Sequence, residues 1–140
     1  MGTTVLIVED EILVALQLEG ILLDAGHSVV GIVPDHASLL HTPDPPQVAL
    51  VDLNLRDGPT GPAIARRLSE MFGTKIVYVT ANPQQIGEPA PTAVAIVEKP
   101  FSQPAILAAI ACATGGLSQE QLPAEVEPLY CPSSRGKLAR

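Results

Sequence analysis

Val48-Ala49-Leu50-Val51-Asp52, followed at once by Leu53-Asn54-Leu55-Arg56-Asp57-Gly58, is the stretch on which the fold turns. Four consecutive apolar residues, two of them β-branched, read as a short strand buried on both faces, which is how an interior strand of a parallel sheet looks. The strand stops on an aspartate. In open α/β sheets ligands bind beyond the carboxyl ends of the strands, so Asp52 stands where a carboxylate can do chemistry. Taken alone, Asp52 reads more readily as a cap on the turn before Asn54 and Gly58. The other strand ends favour chemistry.

Upstream, Thr4 to Val8 is a first buried strand that ends in Glu9-Asp10-Glu11. From Ile12 the apolar residues Ile12, Leu13, Leu16, Ile21, Leu22 and Leu23 suit an amphipathic helix closed by Gly26. Ser28 to Val33 is a second strand, stopped by Pro34. Asp35 to His41 allows two helical turns at most before Thr42-Pro43-Asp44-Pro45-Pro46 forbids more. Downstream, Pro62 fits the first turn of a helix running to Phe72 and stopped by Gly73. Lys75 to Thr80 is a fourth strand, and Ala93 to Glu98 a fifth that leads into Lys99-Pro100-Phe101. Ser102 then caps a last helix with Pro104 in its first turn, running to Gly115-Gly116.

Strands alternating with helices predict an α/β fold: a doubly wound, five-stranded parallel sheet with right-handed crossovers. The strand ends then bring Glu9, Asp10, Asp52, Thr80 and Lys99 to one rim. Gathered carboxylates resist joint ionisation, and a divalent cation with oxygen ligands relieves them; Mg²⁺ suits one or two carboxylates plus a phosphate.

Composition narrows the function classes. Aliphatic residues build the core, since 46% of the chain is hydrophobic but only 3% aromatic. The apolar runs are too short for a bilayer span and no basic region precedes an apolar one at the start, so a cytoplasmic protein without membrane insertion is expected. Cys112 and Cys131 have no metal-ligand spacing. His27, His36 and His41 share none either. Net charge is −7, and three of the eight basic residues, Arg135, Lys137 and Arg140, fall in the tail. A body that acidic repels phosphate backbones, which argues against direct nucleic-acid binding.

These residues resemble those of a response-regulator receiver domain, the aspartate-phosphorylated half of bacterial two-component signalling. Glu9-Asp10 matches the acidic pair after the first strand, Asp52 the phosphoacceptor, Thr80 the switch hydroxyl and Lys99-Pro100-Phe101 the lysine-proline motif. The resemblance covers Thr4 to about Ala113 and implies a flavodoxin-like (βα)5 fold of strand order 2-1-3-4-5. It implies that Asp52 accepts a phosphoryl group from a sensor histidine kinase or histidine phosphotransferase. It also implies Mg²⁺ on Asp10, Asp52 and the backbone carbonyl of Asn54, with Glu9 reaching the ion through water. Lys99 and Thr80 would contact phosphoryl oxygens. Any enzymatic activity would be self-phosphorylation from a phosphodonor and autodephosphorylation.

The departures matter as well. Ile96 stands where the family usually has an aromatic, and Tyr78 reads as a core strand residue. Arg56 stands where many receivers have proline. Between Thr80 and Val94, three prolines and a glycine leave room for about one helical turn, so the fourth helix is expected to be shortened or irregular, mobile, and packed by little except Ile86. This feature resembles alphaproteobacterial receivers that serve light- and stress-responsive kinases.

Residues 1–116 are thus expected to be the receiver and 117–140 a C-terminal extension too short for an effector domain. Leu117 to Leu122 can add a turn or two of helix, and Leu129-Tyr130-Cys131 can dock on the body or on a second subunit, giving a homodimer; a solvated tail is the alternative. The expected function is signalling by protein contact or draining of phosphoryl groups from a kinase. Two other classes compete with it: a pseudo-receiver acting as a constitutive interaction module, and an aspartyl-nucleophile phosphatase. The first would be marked by loss of Asp52, Asp10 or Lys99, and the second wants an acid where Asn54 stands.

Overall fold

The Val48–Val51 strand is completely buried, as a run apolar on both faces requires. In the computed structural model, which describes residues 2–41 and 44–129, it lies third in a six-stranded sheet of order β2-β1-β3-β4-β5-β6. The strands are β1 (Thr4–Val8), β2 (Ser28–Val33), β3 (Val48–Val51), β4 (Lys75–Thr80), β5 (Ala93–Glu98) and β6 (Val126–Pro128). The helices are α1 (Ile12–Asp24), α2 (Gly61–Phe72) and α3 (Gln103–Ala113), with 3-10 turns at Ala37–His41, Pro83–Gln85 and Gln119–Gln121. The first five strands run parallel with the expected boundaries and the flavodoxin-like order. Among the described residues no helix is long and apolar enough to cross a membrane.

Side chains alternate across the strands and build one core on each face of the sheet. Val5, Ile7, Leu50, Val77 and Val97 pack with Ala15, Leu18 and Leu22 of α1 and Ile106 and Ile110 of α3. Leu6, Val8, Val51, Ile76, Tyr78 and Ile96 pack on the other face with Ile64 and Leu68 of α2. Each fully buried Leu, Ile or Val contributes about 1.5–3 kcal/mol, so both faces are needed for stability.

Caps fall where the residues dictate. Gly73 ends α2 at φ 68, a left-handed conformation open to glycine, and the Ser102 hydroxyl accepts from Ala105 N at the start of α3. Helix α1 departs from the expected face. Ala15, Leu18, Ile21 and Leu22 are buried, whereas Ile12, Leu13, Leu16 and Leu23 are exposed, Leu13 to 79%. The helix is apolar nearly all round, so periodicity alone could not choose its inner side.

The expected short turns are present, and the five-stranded expectation needs one correction. The second and fourth connections make only 3-10 turns, the prolines in and around them preventing more. The correction is a sixth strand: the stretch expected as an extension supplies β6, antiparallel to β5, with Val97 opposite Val126. The register of β5 explains this pairing. Ile76 pairs with Ala93 and Val77 with Ala95, which leaves Val94 as an extra residue. Its carbonyl accepts from Leu129 N at 2.9 Å and from Gln119 Nε2 at 2.9 Å. Leu129 therefore docks on the body, while Tyr130 and Cys131 lie outside the described residues.

Candidate functional site

Three strand ends converge on one ammonium group. Glu9 and Asp52 each follow a strand of the buried sheet centre, and the ladder holds both backbones: Glu9 N donates to Val33 O at 3.0 Å and Asp52 N to Val8 O at 2.9 Å. Lys99, which follows β5, places Nζ 2.8 Å from Glu9 Oε1 and 3.1 Å from Asp52 Oδ2. Lys99 N donates to Thr80 O, which fixes the base of that side chain. The remaining oxygens are engaged locally: Glu9 Oε2 accepts from Glu11 N at 3.1 Å and Asp52 Oδ1 from Leu53 N at 2.7 Å.

Burial and charge oppose each other here. Burial pushes the Glu9 carboxyl above its usual range, despite the lowering contacts of Lys99 and Glu11 N. Burial of Lys99 acts to lower its ammonium, but the carboxylates of Glu9 and Asp52 outweigh it and hold the group above the usual lysine value. Lys99 is therefore a cation at neutral pH, clamped between two acids.

Asp10 lies on the exposed side. One carboxylate oxygen from each of Glu9, Asp10 and Asp52 lies within 4.8 Å of the others. A donor set made of oxygens alone, partly open to solvent, fits Mg²⁺, which prefers few protein ligands and retains waters. Thr80 and Asn54 are placed differently. Thr80 is buried, and its hydroxyl oxygen accepts from Asn82 N, just beyond the strand end, at 3.0 Å. The exposed Asn54 side chain donates through Nδ2 to Gln85 Oε1 at 2.8 Å. Thr80 closes β4 and Asn54 lies in the loop after β3, at the same rim, but their side chains bond elsewhere.

Three features around the site carried no functional reading in the sequence. A Cβ on Gly61 would fall 2.0 Å from Asp52 O, so only glycine lets the start of α2 approach the backbone behind Asp52, where Gly61 N donates to Leu53 O. Tyr78 is buried as expected, yet its hydroxyl also accepts from Ala90 N at 2.9 Å, tying down the irregular segment. That segment buries Ala90 as well as Ile86, more than the expected Ile86 alone.

The third feature is Asp35, whose carboxylate accepts from Ser38 N at 2.8 Å, Ser38 Oγ at 2.7 Å and Arg56 Nε at 3.0 Å, with Arg56 Nη2 closing an ion pair. The Ser38 hydroxyl, then the Arg56 guanidinium, hold its pKa down at about 2. Asp57, bonded to the Thr60 hydroxyl and to His36 N, is also lowered. An Asp-to-Arg pair this far apart in sequence has no periodic signal.

No protein-family model matches the chain. The chain is 32% identical over 115 residues to the phyllosphere-induced regulator PhyR of Methylorubrum extorquens, which covers 79% of this chain and 42% of the relative. It thus spans less than half the length of that curated protein. Among solved structures, the PhyR response-regulator REC domain of Erythrobacter litoralis superimposes with a TM-score of 0.74 at 29% identity, covering 84% of this chain and 93% of that one. The response regulator PhyR of Brucella abortus gives 0.71 at 30% identity, covering 81% and 48%.

Proposed function

Because the chain belongs to the response-regulator receiver domains, of the type found in the alphaproteobacterial stress regulator PhyR, we propose that Asp52 is the phosphoacceptor of a two-component phosphorelay. A carboxylate oxygen of Asp52 attacks the phosphorus of a phosphohistidine on a histidine kinase or phosphotransferase. An acyl phosphate forms as the P–N bond breaks, and its electron pair returns to the imidazole. The observation that carries this reading is the Lys99 ammonium held against Asp52 at 3.1 Å. It stands ready to neutralise a phosphoryl oxygen bonded to that carboxylate, and placement with charge neutralisation is most of what such a transfer needs. Asp10, Asp52 and the Asn54 carbonyl would hold Mg²⁺, with Glu9 beyond, and the bound ion would supply further neutralisation of the transferring oxygens.

The phosphoryl group adds roughly −1.5 to −2 charges and three acceptor oxygens. The Thr80 hydroxyl turns toward one of them and releases Asn82 N, so the segment after β4 shifts with it. The shifted surface signals by protein contact; a receiver that only drains phosphoryl groups from its kinase would share every earlier step. Retention of Asp52, Asp10 and Lys99 in one cluster disfavours a pseudo-receiver.

Intact-protein mass after incubation with acetyl phosphate and Mg²⁺ tests the reading. One phosphoryl adduct in the wild type, absent in Asp52→Asn and abolished by chelating the metal, is expected. If neither acetyl phosphate nor beryllofluoride modifies Asp52, the reading is wrong.

A further inference from the structure

Asp35, Arg56 and Asp57 have no part in that transfer, yet they join the loop after β3 to the turn after β2 at consecutive residues. Arg56 N donates to Pro34 O at 3.2 Å, its guanidinium grips the Asp35 carboxylate through Nε and Nη2, and His36 N donates to Asp57 Oδ2 at 3.1 Å. Asp35 is itself buried, at 8% exposure, and fixed by Ser38, so the guanidinium is anchored on an immobile partner. Within the loop, Leu55 and Gly58 bond each other through both N–H groups, at 2.8 and 3.0 Å, and Leu53 and Leu55 are buried. Asn54 lies between those two leucines.

We propose that Arg56 is a positioning residue: by clasping Asp35 it holds the Leu53–Gly58 loop in the one shape that offers Asn54 to a divalent cation beside Asp10 and Asp52. This rests on the phosphoacceptor reading of that site. The physical reason is the geometry Mg²⁺ demands. Its near-octahedral shell favours a main-chain donor that is already in place. A loop held by its Leu55–Gly58 pair, two hydrogen bonds to the turn after β2 and its two buried leucines keeps more freedom than one whose guanidinium is clasped as well. Supporting partners one step removed from a metal typically change affinity by about tenfold or more.

The sign of the effect separates positioning from simple charge. A guanidinium near the site repels a cation, so if Arg56 acted only through its charge, Arg56→Ala would tighten Mg²⁺ binding. A positioning role requires the reverse.

The test compares the full chain with Arg56→Ala, Arg56→Lys and, as a control for charge removal, Arg66→Ala, whose arginine pairs with Glu70 on α2 at 3.8 Å. Two quantities are measured: Mg²⁺ affinity by calorimetry, and exchange of the Leu55 and Gly58 amides in metal-free protein by NMR. Expected in Arg56→Ala are faster exchange at both amides and Mg²⁺ affinity lower by roughly tenfold, with partial recovery in Arg56→Lys and no change in Arg66→Ala. Unchanged exchange overturns the proposal, and so does faster exchange with equal or tighter Mg²⁺ binding. Absence of Mg²⁺ binding in the wild type would instead refute the metal site itself, and the role of Arg56 toward it with it. The wild-type titration thus judges the function and the variants judge Arg56.

Discussion

Gly61 is the residue at which the backbone itself is part of the site. With a Cβ 2.0 Å from Asp52 O, Gly61→Ala must push the start of α2 away from the strand end, at a cost of about 1–3 kcal/mol. The expected result is a lower urea midpoint together with weaker beryllofluoride binding at Asp52; a variant as stable and as reactive as the wild type would show that α2 can yield. Asp35 offers a second test at this scale. Its folded pKa of about 2 lies below the ordinary aspartate value of 3.8, so the folded chain holds this proton less tightly than the unfolded chain. The stability it contributes is present above pH 3.8 and is lost as pH falls toward 2. Asp35→Asn should therefore flatten the decline of urea midpoint with pH in that window while lowering the midpoint at pH 7. The gathering of Glu9, Asp10, Asp52 and Lys99 at one rim, with Thr80 at the neighbouring strand end, was legible because strand ends are visible in a sequence. Asp35 and Gly61 were not, because one depends on a partner far along the chain and the other on an approach of two backbones.

At the scale of the element, the segment between β4 and β5 shows what holds a connection without a helix. Its prolines and glycine announced the irregularity, but not the tethers, which are side chains from elsewhere: Tyr78 on Ala90 N, and the Ser69 hydroxyl, which accepts from Thr92 N and from the Thr92 hydroxyl. In register Tyr78 lies opposite Ile96, so the aromatic missing from β5 has a counterpart on the neighbouring strand. Burial holds the phenol above its usual pKa, so it stays neutral and its oxygen remains available to accept from Ala90 N. Tyr78→Phe keeps the ring and leaves the Ala90 amide buried without its acceptor, an imbalance costing about 1–3 kcal/mol. Faster exchange at Ala90, with slow exchange retained in β4, is the expected signature; unchanged exchange would mean that Ile86 and Ala90 pack the segment unaided.

Across the whole molecule, the parallel run of strands and both cores followed from apolar runs and their punctuation, whereas the strand order came from the resemblance to receiver domains. The sixth strand followed from neither, since Val126-Glu127-Pro128 is too short to carry a pattern; it pairs with Ala95–Val97 beside the extra residue Val94, whose carbonyl accepts from Leu129 N. Val126 is 3% exposed in the core shared by α1 and α3. Val126→Ala should lower stability by about 1–3 kcal/mol and raise exchange along β5, read as a downward shift of the thermal midpoint with new lability at Val97. An unchanged midpoint would mean that β6 rests on the sheet without supporting it.

The two margins of the sheet also govern how the chain behaves when crowded with copies of itself. A long, flat, apolar outer strand is a template on which a second chain can lay down hydrogen bonds and begin a fibril. At one margin β2 is apolar, but Val30 has no register partner on β1, and such an extra residue twists the strand away from flatness. At the other, β6 hides the apolar β5 and offers three residues, with Glu127 exposed and Pro128 lacking an N–H. Growth by strand addition is thus discouraged on both sides, and a concentrated solution should resist amyloid-type assembly for as long as β6 stays docked.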